Sequence, residues 1–141
     1  MEPTYKDLLV ALSDITPEEA YNELQKNPNH ELKEQYEFII KKDPDYAYLY
    51  AYEVIKGRWP EAEEYIKKDP GWVYQYAKNV MKGRWPEAED YIKKSPCYAY
   101  EYAKYVIKGR WPEAEDIIKN SYYVKKYAKD VIKDENFWDN N

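Results

Sequence analysis

Gly57-Arg58-Trp59-Pro60-Glu61-Ala62-Glu63 recurs unchanged as Gly83 to Glu89 and as Gly109 to Glu115. The starts are 26 residues apart both times, and a fixed period of this length is the mark of a repeat architecture. Each residue of the phrase has a local reading. The glycine reads as the C′ residue that lets a helix end in a left-handed turn. Trp59 precedes a proline and is biased towards extended backbone. Pro60 opens a second helix at its first position, with Glu61 and Glu63 in the positively polarised first turn. The phrase is therefore a corner made of a helix stop, an aromatic wedge and a helix start.

Upstream of each corner stands Asp43-Pro44, Asp69-Pro70 or Ser95-Pro96, an N-cap followed by an N1 proline. The spacing predicts a first helix over about Pro44 to Lys56. Its apolar stripe is Ala47, Tyr50, Ala51, Val54 and Ile55, at i, i+3, i+4, i+7 and i+8. It returns as Val73, Tyr76, Ala77, Val80, Met81 and as Ala99, Tyr102, Ala103, Val106, Ile107. Tyr48, Tyr74 and Tyr100 widen that face, which places the helix between neighbouring modules. A shorter helix follows the corner, with Ala62, Tyr65 and Ile66 inward and Lys67 and Lys68 in its last turn. The expected fold is all-α: short α-hairpin repeats of 26-residue period, stacked as an α-solenoid with capping helices at both ends.

The whole chain reads as a single domain, 1–141. Residues 1–42 form an N-terminal helical cap. A short helix is predicted from Tyr5 to Leu12, with Tyr5, Leu8, Leu9 and Leu12 on one face. Thr16-Pro17-Glu18-Glu19 is a capping box that opens a helix carrying Ala20, Tyr21 and Leu24. Asn27-Pro28 stops it, and Asn29 is expected to cap a third helix reaching about Lys42. Residues 43–68, 69–94 and 95–120 are the repeats. Residues 121–141 are a degenerate repeat and C-terminal cap: Tyr127-Ala128 matches Tyr102-Ala103 at a spacing of 25, and Phe137 or Trp138 is expected to fold onto the last module.

Tyrosine dominates the aromatic residues, with 18 Tyr beside 5 Trp and 2 Phe, so many ring hydroxyls need partners. One cysteine, Cys97, and one histidine, His30, exclude a disulfide framework and a Cys/His zinc site. His30 reads as a solvated side chain near a helix start, and Cys97 as incidental. The net charge of −5 is uneven: residues 1–42 hold nine acids and five bases, whereas the repeats are nearly neutral. That balance disfavours general DNA binding, which needs a basic surface. No secretory core and no apolar run of about 20 residues is present, so a cytoplasmic protein without membrane contact is expected.

The pattern Asp-Pro-x-x-Ala-Tyr-x-Tyr-Ala-x-x-Val-Ile-Lys-Gly-Arg-Trp-Pro-Glu-Ala-Glu-x-Tyr-Ile resembles tyrosine-rich repeats of uncharacterised tailed-bacteriophage and mobile-element proteins. The resemblance covers about residues 43–133. It implies a helical solenoid in a phage setting, hence the host cytoplasm, and a host-takeover or anti-defence role. It carries over no catalytic residue.

No arrangement of residues predicts a reaction, a metal or a cofactor. Glu61, Glu63 and Glu64 recur in every module beside Arg58, Arg84 or Arg110, which reads as helix capping and arginine pairing rather than a two-carboxylate active site. Residues identical in all repeats carry the fold, so function is sought where the repeats differ. Those positions are Leu49, Gln75 and Glu101; Tyr52, Lys78 and Lys104; and Glu53, Asn79 and Tyr105. They lie on or beside the polar strip of the first helices, and their residue types suit a protein partner. The expected function is a non-enzymatic protein-binding module, a phage-encoded inhibitor of a host or defence protein. The alternative is a binder of a nucleotide or RNA that uses Tyr48, Tyr74 and Tyr100 as an exposed stacking row. The oligomeric state does not follow from the sequence.

Overall fold

A computed structural model describes Glu2, Thr4 and residues 13–139, and all regular structure among them is helical. The helix expected over Tyr5 to Leu12 lies outside the described residues. The chain divides into two compact units, Met1–Tyr65 and Ile66–Asn141. The boundary falls inside the second helix of the first repeat rather than at the edge of a module.

In the first unit, α1 (Pro17–Lys26) opens on the expected capping box: Thr16 accepts from the Glu19 N–H, and the Glu19 side chain reaches back to Thr16. It buries Ala20, Tyr21 and Leu24 and packs on α2 (Lys33–Ile40). Asn29 does not cap α2. The helix starts later, at Leu32, whose N–H donates to His30 Nδ1 at 2.9 Å. His30 is half-buried, with its ring 5.1 Å from Tyr36, so it is a local structural acceptor rather than a solvated side chain. The first repeat supplies α3 (Pro44–Leu49), which continues as a π-helical stretch, Tyr50–Ile55. Asp43 caps it by accepting from the N–H groups of Asp45 and Tyr46. After the corner comes α4 (Pro60–Ile66).

The second unit repeats this plan. The long helices are α5 (Pro70–Tyr76, then π over Ala77–Met81), α7 (Pro96–Tyr102, then π over Ala103–Ile107) and α9 (Val124–Tyr127, then π over Ala128–Ile132). Between them lie the short helices α6 (Glu89–Ile92) and α8 (Glu115–Lys119), each entered through a 3₁₀ turn that starts at the corner proline. The three π stretches run beside one another, and a final 3₁₀ turn, Phe137–Asp139, closes against the last of them. These are helix pairs repeated along the chain, as the 26-residue period predicts.

The core follows the repeat: Ala47, Val73 and Ala99; Tyr50, Tyr76, Tyr102 and Tyr127; Ala51, Ala77, Ala103 and Ala128; Trp59, Trp85 and Trp111; Ile66, Ile92 and Ile118 are all buried. At the C-terminal end both candidate aromatics fold back. Trp138 donates its ring N–H to the Val124 carbonyl at 2.8 Å, and Arg110 lies 4.6 Å above the Phe137 ring.

Two expectations are corrected. First, the apolar stripe does not run the length of the long helices. Val54 is only half-buried and Ile55 is 39% exposed. An i→i+5 turn holds more residues than an α turn, so positions counted at a 3.6 period drift off the buried face. Tyr48, Tyr74 and Tyr100 lie ahead of the π stretches and are buried, in keeping with the widened apolar face. Second, the glycine of the corner is not the left-handed residue. Lys56, Lys82, Lys108 and Lys133 take that conformation, with φ between 57° and 69°, and among the described residues no glycine has a positive φ. The carbonyl of Ala51 then accepts from both the Lys56 and the Gly57 N–H, and those of Ala77, Ala103 and Ala128 do the same in their modules.

A left-handed L-residue costs roughly 1–2 kcal/mol, partly offset in a glycine variant by the freer unfolded chain. Lys56→Gly is therefore expected to stabilise the protein by about 0.5–1 kcal/mol. A Cβ added at Gly57 meets nothing within 4 Å, so Gly57→Ala is expected to be neutral or mildly stabilising. Urea denaturation of the two variants checks this; a loss of about 1 kcal/mol in Gly57→Ala restores the glycine to the left-handed role.

Candidate functional site

The loudest residues of the chain form an internal brace. Arg84 Nε and Nη2 donate to the two Glu89 oxygens at 2.9 and 2.8 Å. The Tyr102 hydroxyl, from the following module, donates to Glu89 Oε2 at 2.7 Å and accepts the Trp85 backbone N–H at 2.8 Å. The next copy repeats every bond: Arg110 pairs with Glu115, Tyr127 donates to Glu115, and the Trp111 N–H reaches the Tyr127 hydroxyl. In the first unit Arg58 pairs with the buried Glu63 at 2.7 Å. Burial opposes the charged form of Glu89, yet bonds from Arg84 and Tyr102 outweigh it and hold the carboxyl below its ordinary range. Bonding to Arg110 does the same for Glu115. The arginine pairing read from the repeats is present, with a tyrosine of the following module as its third member. The Glu89 and Glu115 carboxylates thus each accept three hydrogen bonds, two from arginine and one from tyrosine, out of about four lone-pair sites.

The variable positions have different fates. In the first unit, Tyr52 is exposed and stacks on Tyr48, rings 5.9 Å apart and nearly parallel. Leu49 is half-buried. Glu53 is exposed, but its carboxylate accepts from the Tyr21 hydroxyl and from Gln25 Nε2 at 3.2 Å. It ties the cap helix α1 to the first repeat. Burial first, then Glu53, raises the Tyr21 pKa from 10.0 to about 12.

In the second unit Asn79 donates to Gln75 at 2.9 Å, a pair that lies along α5. Glu101 faces Tyr74, whose pKa burial and then Glu101 push up to about 12. The remaining three positions converge. Tyr105 is 41% exposed, and two ammonium groups lie over its ring, Lys78 at 4.8 Å and Lys104 at 5.0 Å. Lys78 also lies 5.6 Å from the buried Tyr74 ring. Lys104 is 3.4 Å from Asp130, which accepts in turn from the Tyr100 hydroxyl. Hydrogen bonds to Tyr105 and Tyr100 raise the Lys104 pKa, and the bond from Tyr100 lowers that of Asp130. The outcome is a ladder, Lys78–Tyr105–Lys104–Asp130, standing on a buried row of tyrosines.

Sequence reasoning missed Tyr21 and Asp130. Asp130 was within reach: at the 25-residue offset that aligns Tyr127 with Tyr102, it is the fourth member of the Glu53, Asn79, Tyr105 column. Tyr48, Tyr74 and Tyr100 are 9%, 5% and 4% exposed, so they do not form the exposed stacking row that the alternative reading requires. Cys97 is half-buried beside Tyr123, whose pKa it raises. Among the described residues no three His, Cys, Asp or Glu side chains converge as a metal site, and no helix is long and apolar enough to cross a membrane.

Comparison with protein-family models, with curated proteins and with solved structures finds no match.

Proposed function

We propose that this chain is a non-enzymatic repeat module that binds a protein partner through the variable strip of its long helices. The single observation that carries the reading is Tyr105. It is a large side chain left substantially exposed, at a position where the repeats differ, with its ring set between two lysines. Tyrosine gives much contact area for little conformational entropy, and interface hot spots are enriched in it. Rings held in place by neighbouring cations lose less freedom on binding. Tyr52, stacked on Tyr48, offers the same kind of anchor in the first unit.

The resemblance to tailed-phage repeats supports placing the partner in the host cytoplasm, as a host or anti-phage defence protein that the module inhibits. Sequestration of a nucleotide or RNA on the aligned tyrosines has less support, because those rings are buried and two of their hydroxyls sit against Asp130 and Glu101.

The test uses the full chain immobilised against bacterial lysate, followed by binding measurements on the protein recovered. Tyr105→Ala is expected to weaken that complex at least about tenfold with helicity unchanged, since no core contact is removed. Retained affinity in both Tyr105→Ala and Tyr52→Ala places the binding face elsewhere and sinks the reading.

A further inference from the structure

The second unit holds a pocket of about 210 Å³ lined by Lys78, Lys82, Gly83, Tyr105, Val106 and Lys108. Three of the six lining residues are lysines and none is acidic, in a chain whose net charge is −5. Among the described residues none of the three lysines is paired with a carboxylate. The cluster is also positioned. Lys78 lies over the Tyr74 and Tyr105 rings. Lys82 and Lys108 project from backbone fixed in the left-handed conformation, at φ 57° and 61°.

That conformation is one a glycine adopts freely, and a glycine stands next in the chain each time. Lysine at this position therefore carries a conformational cost that glycine would avoid. The carbonyls of Ala77 and Ala103, at the ends of these two helices, each accept two N–H groups already, which blunts the negative end of each helix beside the pocket. One interval further on the cluster is not reproduced, because Lys104, the equivalent of Lys78, is engaged by Asp130.

From this we infer that the pocket is a binding site for a phosphoryl or pyrophosphoryl group. Lysine is an effective phosphate binder as a point charge, and three unpaired ammonium groups with one phenol suit a compact, multiply charged anion. The volume falls below the roughly 300–1,000 Å³ of ordinary small-molecule sites, so the pocket takes the charged group and not a whole nucleotide. Tyr105 already carries two cations over its ring and is not placed to stack a base as well. The inference stands on the pocket alone and does not need a protein partner.

The probe is sodium pyrophosphate, titrated into the full-length ¹⁵N-labelled chain, with sodium sulfate at matched ionic strength and hexaglutamate as parallel arms. Saturable amide shifts confined to Lys78, Lys82, Gly83, Tyr105 and Lys108 are expected with pyrophosphate. The double variant Lys82→Gln/Lys108→Gln keeps side-chain length, and in it binding is expected to fall about tenfold or more at unchanged helicity. Shifts equal to those in sulfate mean charge screening only and overturn the site. A stronger response to hexaglutamate overturns the phosphate assignment and makes the pocket a seat for an acidic protein segment. Unaltered pyrophosphate binding in the double variant overturns the residue assignment. These variants leave the Tyr105 ring in place, so loss of anion binding and loss of partner binding are separable.

Discussion

Trp111→Ala lowers the unfolding free energy by about 3–5 kcal/mol, the range for emptying a tryptophan-sized site in a packed core. Trp111 is 1% exposed and its ring centroid lies 5.0 Å from that of Tyr102. The substitution keeps the backbone N–H that donates to the Tyr127 hydroxyl, so the loss is packing and not a broken hydrogen bond. Domains of this kind are stable by only about 5–15 kcal/mol, so the variant sits close to the edge of folding. Its counterpart at the chain end, Trp138, is half-buried, and its ring is 6.1 Å from Tyr127. Trp138→Ala is expected to cost clearly less. Urea midpoints of the two variants measure the difference. Equal losses would mean that the interior corners are no better packed than the end of the array.

The second large effect is alkaline unfolding. Burial, reinforced by neighbouring carboxylates, raises the pKa of Tyr21, Tyr74 and Tyr100 from 10.0 to about 12. Burial raises Tyr50, Tyr102 and Tyr127 further still. A group that holds its proton more tightly when folded stabilises the fold fully below its unfolded pKa and loses that contribution as pH rises through the folded value. The window is therefore pH 10 to about 12. The unfolded chain ionises first and draws the folded population after it. Helical circular dichroism and tyrosinate absorbance are expected to change together in that window, in one cooperative step. Ionisation spread around pH 10 with helicity intact would show that the rings are open to hydroxide. At acid pH the sign reverses: Glu89, Glu115 and Asp130 are held below their ordinary values, so their contribution is present above the normal carboxylate range and fades as pH falls through it.

The repeated helix pairs, the proline-opened helices and the Trp, Ala and Ile core were legible because each rests on local chemistry repeated three times. The ends of the long helices were not. A periodicity count assumes one pitch throughout, and here the pitch widens at Tyr50 and just after Tyr76 and Tyr102. That shift exposed Ile55. The rule that glycine takes the left-handed position failed by one residue, because lysine occupies it and glycine follows. At the site, comparing repeats located Lys78, Lys104 and Tyr105, whose convergence is a matter of three dimensions. The tie made by Glu53 could not be read by comparing repeats, because its partner, Tyr21, comes from outside them.

Each corner glutamate in the second unit is completed by a tyrosine borrowed from the next module, Glu89 from Tyr102 and Glu115 from Tyr127. The residue missing before Tyr127 falls in the loop at Ser121-Tyr122, outside the bonded set. A tandem duplication of residues 95–120 would thus leave no donor or acceptor of the brace unmatched. Array length is open to change by whole modules, and the surface on offer to a ligand can grow or shrink without redesign of the interior.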